Sequence, residues 1–141
     1  MARVTAVTAV LAWVNTHPTL KMPGRLDLGA FRTQIRSPSR GAYLWVTRLD
    51  GTDALIAEEA ADQARIAGVV FAATNEAAEA AAVAYANALD AVRTRTPMGD
   101  AVCLVVDGIT GPQMLDDQAG ERGELYAYQV DADFFLINGG S

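Results

Sequence analysis

Cysteine and histidine are nearly absent: the chain has one of each in 141 residues. A single cysteine excludes an intrachain disulfide and any cysteine-based zinc site. Cys103 stands in the apolar run AVCLVV and reads as a buried, inert thiol rather than a nucleophile. His17 precedes a proline at a helix end, which is the place of a surface turn residue, and the sequence offers no partner to orient it as a base. Positive charge is also short, with 11 Lys and Arg against 17 Asp and Glu and a net charge of −6. A general nucleic-acid binder is normally basic, so that class is disfavoured. No apolar run approaches the ~20 residues of a membrane span.

What remains is the profile of a folded soluble protein. About half the residues are apolar (51%) and a fifth are charged (20%), and the length fits one domain with one core, 1–141. The N-terminal stretch MARVTAVTAVLAWVNTHP is not read as a signal peptide, because Thr5 and Thr8 interrupt it and no clear cleavage site follows. Val4, Val7, Leu11 and Val14 recur at helical spacing, which predicts an amphipathic helix ending before Pro18 and a chain that is soluble and intracellular when made.

Residues 17–41 form a long Pro/Gly/Arg-rich connection, with Pro18, Pro23, Gly24, Gly29, Pro38 and Gly41. Lys21, Arg25, Arg32, Arg36, Arg40 and Arg48 fall in one stretch whose only acid is Asp27. So long a connection is usually functional or disordered. AYLWVTRL, residues 42–49, alternates as a strand, and Asp50-Gly51 marks a turn. Residues 53–64 carry helix propensity, and RIAGVVFAA, residues 65–73, is a strand whose Gly68 signals a bulge or a close neighbour.

Residues 75–93 make the clearest helix. Ala77, Ala80, Ala81, Ala84, Tyr85, Ala88, Leu89 and Val92 form its stripe, Thr74 or Asn75 caps it, and small side chains let its axis lie close to a sheet. Strands are predicted at 101–109 and 113–117, with GITGP (108–112) as a tight turn between them. The last strand is ELYAYQVDADFFLINGG, residues 124–140, with strict alternation. The order α-β-β-α-β-β-β predicts an α+β fold, a mainly antiparallel sheet covered on one face by the N-terminal and the central Ala-rich helix. No internal repeat is visible.

Chemistry is harder to find. GITGP lacks the Lys-Ser/Thr and following helix of a phosphate loop. Ser37 and Ser39 sit among arginines without a nucleophile-elbow pattern. Asp131 and Asp133 share a strand face at ~7 Å, with Asp116 and Asp117 as possible companions. They would suit a cation, an acid/base pair, a solvated face or a partner surface. A hard cation wants about six oxygens and a glycosidase pair wants a cleft, neither of which the sequence promises, so an exposed polar face is the simpler reading.

The order of features resembles the tail terminator proteins of long-tailed, non-contractile phages, actinobacteriophages especially. The residues that carry this are the N-terminal helix, AYLWVTRLDG, ARIAGVVFAATNEAAEAAAVAYANAL and GPQMLDDQAGERGELYAYQV. They cover nearly the whole chain, although no single motif is diagnostic. Family members often place a proline before the first strand, where this chain has Gly41 and Ala42, and the family favours a loop across 53–63.

The resemblance implies a non-enzymatic virion protein without cofactor or metal. It implies a sixfold ring that caps the tail tube, stops its polymerisation and joins the tail to the neck connector, with DNA passing through the lumen and not read by sequence. It would be assembled in the host cytoplasm and reside at the head-proximal end of the tail. Arg25, Arg32, Arg36, Arg40, Asp131 and Asp133 are then expected at a subunit or tube interface, the aspartates pairing with the next copy's arginines or lining the lumen. Alternatives are another neck or tail-tube protein, such as a head-closure protein, or a small ligand- or metal-binding domain using Asp131 and Asp133.

Overall fold

The computed structural model describes residues 4–33, 41–50, 56, 61–115 and 125–139. Over these the chain is α+β, with two helices and one mixed sheet of six strands in the order β1-β2-β3-β6-β5-β4. Helix α1 is Ala6–Thr16 and α2 is Asn75–Asp90; the strands are β1 Gly29–Phe31, β2 Ala42–Arg48, β3 Asp62–Ala72, β4 Thr96–Met98, β5 Ala101–Met114 and β6 Tyr126–Asn138. All pairings are antiparallel except β1 with β2.

Local chemistry explains the helix limits. Thr5 Oγ1 accepts the Thr8 N–H at 3.3 Å, and Thr74 Oγ1 accepts the Ala77 N–H at 3.2 Å, so each helix opens on a threonine cap. α1 stops at His17 because the following Pro18 disfavours helical backbone before it. His17 then builds the turn: its Nδ1 accepts the N–H groups of Thr19 and Leu20 at 3.2 and 3.3 Å. Burial lowers the imidazole pKa below its ordinary value. The unfolded chain therefore takes up this proton first as pH falls through about 6.5, so stability drops across that window and levels off below the folded value. We expect His17→Gln to flatten this limb of a stability–pH curve measured by thermal melts.

Both helices pack on one face of the sheet. The core brings Val7, Val10 and Val14 of α1 and Ala78, Ala81, Tyr85 and Leu89 of α2 against Leu44, Ile66, Val70, Val130, Phe134 and Leu136. At Gly68 an added Cβ would stand 2.8 Å from Tyr85 Cε2 and 2.9 Å from Leu44 Cδ1, so glycine lets the α2 tyrosine lie on the strand backbone. The close neighbour expected at this position is Tyr85.

Four features differ from the sequence reading. First, the element order is α-β-β-β-α-β-β-β, because two three-residue strands, β1 and β4, add to the sheet and the two strands expected at 101–109 and 113–117 are one, β5. Second, residues 17–33 are not a loose connection: Leu20, Leu26 and Ala30 are buried in the core, and β1 pairs with β2. Third, GITGP is no turn between two strands. β5 runs through it to Met114, with register shifts at Cys103/Val105, Asp107/Thr110 and Thr110/Gln113 and positive φ at Gly108 and Gly111. The stretch 113–117 therefore continues β5 through Met114. Fourth, Asp62 and Gln63 already belong to β3. Most of 53–63 lies outside the described residues; within it, Ile56 is buried and its N–H bonds the Val4 carbonyl at 3.0 Å.

The two sheet edges are blunted differently. The Asn15 side-chain amide donates to the Ala30 carbonyl at 3.1 Å and accepts the Ala30 N–H at 2.8 Å, capping β1 as a further strand would. On the opposite side β4 covers only Ala101–Cys103, and the rest of β5 is broken by the three shifts and by Pro112. Bulges and prolines protect an edge against strand addition.

Candidate functional site

The face of the sheet opposite the helices carries the polar residues in question. On β6, Tyr128, Val130, Ala132, Phe134 and Leu136 enter the core, so Gln129, Asp131, Asp133 and Phe135 point the other way. Asp131 pairs in register with Ala67 and Thr110, and Asp133 with Arg65 and Asp107. A polar band thus crosses β3, β6 and β5, flanked by the aromatic cluster of Phe31, Tyr43 and Phe71, in which Tyr43 and Phe71 stack at 5.2 Å.

Arg65 organises the band. Its guanidinium pairs with Asp133 Oδ2 at 3.2 Å, donates to the Gly108 carbonyl at 2.8 Å and donates to Thr110 Oγ1 at 3.2 Å. One side chain therefore ties β3 across β6 to the bulged part of β5. Asp107 and Asp133 face each other in register, and Arg65 offsets their repulsion. We expect Arg65→Ala to cost about 1–2 kcal/mol and to speed amide exchange selectively at 107–111. Arg65→Lys should recover only part, since an ammonium lacks the planar fork. Uniform exchange across β5 in both variants would show that the bulge does not depend on this contact.

Asp131 accepts the Gln129 amide at 2.8 Å and has no cation beside it among the described residues. Arg25 stands on the helix side. Its guanidinium donates to the Thr19 carbonyl at 3.2 Å and approaches Met22 Sδ at 3.9 Å. Arg32 lies at the N-terminus of α1, where it donates to Thr5 Oγ1 at 3.0 Å and to Thr8 Oγ1. The structure therefore does not bring Arg25 or Arg32 to Asp131 or Asp133 within one copy. Arg36, Arg40, Asp116, Asp117, Ser37 and Ser39 lie outside the described residues.

Arg48 is engaged within the chain. Its guanidinium forks onto both Asp62 oxygens at 2.8 and 2.9 Å, and its Nε donates to Asp50 Oδ1 at 2.8 Å. The hydrogen bonds to Asp62 and then Asp50 raise its pKa further. Burial opposes ionisation of Asp50, yet the Arg48 guanidinium and the Arg65 N–H together hold its pKa below the usual value.

Cys103 is buried, and burial pushes its thiol up to about 11, too high for a thiolate nucleophile at neutral pH. Among the described residues no group of three His, Cys, Asp or Glu side chains is placed to hold a metal ion, and no helix is long and apolar enough to cross a membrane.

The residue that sequence reading missed is Arg65. Its partners lie more than 40 positions away in the chain, so no local pattern announces it. No family model matches the chain, and neither a curated protein nor a solved structure shows significant similarity to it.

Proposed function

We propose that this chain is a phage virion protein that forms a ring capping the tail tube, ends tube polymerisation and joins the tail to the neck connector. Its partners are copies of itself, the tube protein and the connector, with viral DNA passing through the lumen. The observation that carries the reading is α2, which enters between β3 and β4 and lies across the sheet, where a tube or head-closure protein would be more purely β. Two unlike surfaces on opposite sides of the domain also suit a ring, since a cyclic assembly needs two complementary patches on each subunit.

The alternative metal-binding reading is disfavoured by Asp133, whose carboxylate is held by Arg65. A divalent-metal thermal-shift series separates the two: the ring reading expects no saturable stabilisation. The functional test is assembly without this chain. Tails made in its absence should be overlong or unstable and should fail to join heads; tails of normal length that join heads would refute the proposal.

A further inference from the structure

We propose that a groove on the helix side of one copy receives the acidic band on the sheet face away from the helices of the next copy, with Arg25 meeting Asp131; this rests on the ring reading above. The groove, of about 510 Å³, runs between the turn after α1, with His17, Leu20 and Arg25, and the outer side of α2, with Val83, Asn87 and Ala88. Among the described residues no acidic side chain lines it. Val83 is 43% exposed, and Met22, beside Arg25, is 48% exposed. Among the described residues Arg25 meets only a carbonyl and a thioether, so the groove presents a cation without a carboxylate, bordered by apolar side chains.

The sheet face away from the helices offers the complement, with Asp131 and Asp133 half-buried and Asp107 exposed. Asp107, Asp131 and Asp133 outweigh Arg65 and leave the band net negative, and among the described residues Asp131 has only an amide partner. Opposite charge selects this orientation over others, because a like-charged juxtaposition would be repelled. The two surfaces lie on opposite sides of the domain, so the contact is head-to-tail and closes as a ring when the rotation between copies allows. Strand addition is the competing way to join copies. The Asn15 cap on β1 and the irregular edge of β5 oppose it, which leaves the faces.

The test is sedimentation and native mass spectrometry of the full chain over a concentration series. Arg25→Glu and Asp131→Asn should each weaken self-association by roughly tenfold or more. The swap Arg25→Glu with Asp131→Lys should restore it, with thermal melts showing that each variant is folded. A disulfide trap, Asn87→Cys with Gln129→Cys, should give a covalent ladder of copies on oxidation, and it serves even where a charge variant folds poorly. Single variants that assemble like the parent chain, a swap no better than Arg25→Glu alone, or an absent ladder each overturn the docking. A parent chain that stays monomeric at millimolar concentration overturns it too. None of these results decides whether the protein sits at the tail end, which microscopy of tails reads separately.

Discussion

Phe134→Ala should lower the unfolding free energy by about 3–5 kcal/mol, the usual cost of emptying a buried phenylalanine site. Phe134 is completely buried, in register with Ala64 on β3 and Val106 on β5, inside the core that the helices close. A domain of this size has only about 5–15 kcal/mol in all, so the variant should be marginal at physiological temperature. The neighbouring Phe135 is the control. It points away from the helices and is only partly buried, so Phe135→Ala should cost clearly less. Equal losses in denaturant titrations would mean that the faces of β6 are assigned wrongly, and with them the position of Asp131 and Asp133.

Gly68→Ala is expected to cost about 1–3 kcal/mol or more through overpacking. The added methyl would meet the Tyr85 ring at 2.8 Å and Leu44 at 2.9 Å, both fully buried and unable to move without displacing α2 or β2. Trimming the obstruction should help, so the same change in a Tyr85→Leu background should cost less than it does alone. Tyr85→Phe should be neutral or stabilising, because the tyrosine hydroxyl is buried with no hydrogen-bond partner among the described residues. Burial, with Asp131 nearby, raises the Tyr85 pKa and keeps the phenol neutral. Additive losses for Gly68→Ala and Tyr85→Leu would show that the ring does not rest on this strand.

Long elements were legible because their periodicity has room to repeat. α1, α2, β2, β3 and β6 were all expected near their observed places, and the alternation of β6 assigned its buried face. β1 and β4 have three residues each, too few to show alternation, and β1 is held partly by a side chain from α1, a contact made by residues 15 positions apart. β5 was cut in two because glycines at 108 and 111 read as a turn, whereas here they supply the positive φ of irregularities inside a continuing strand.

The candidate site divides the same way. Alternation placed Asp131 and Asp133 on the face away from the core, but it could not show that Arg65 already holds Asp133 or that Arg48 is held by Asp50 and Asp62. Counting cations along the chain overstated how many are available to a partner. Among the described residues, Arg48 is engaged, Arg32 bonds the threonines at the start of α1, and Arg25 is an exposed cation with no carboxylate partner.

Electron microscopy of assembled tails, with this chain labelled, tests the central proposal most directly. A single ring of the protein is expected at the head-proximal end, closing the tube and touching the neck. Its absence from that position, or its repetition along the length of the tube, would refute a terminator role.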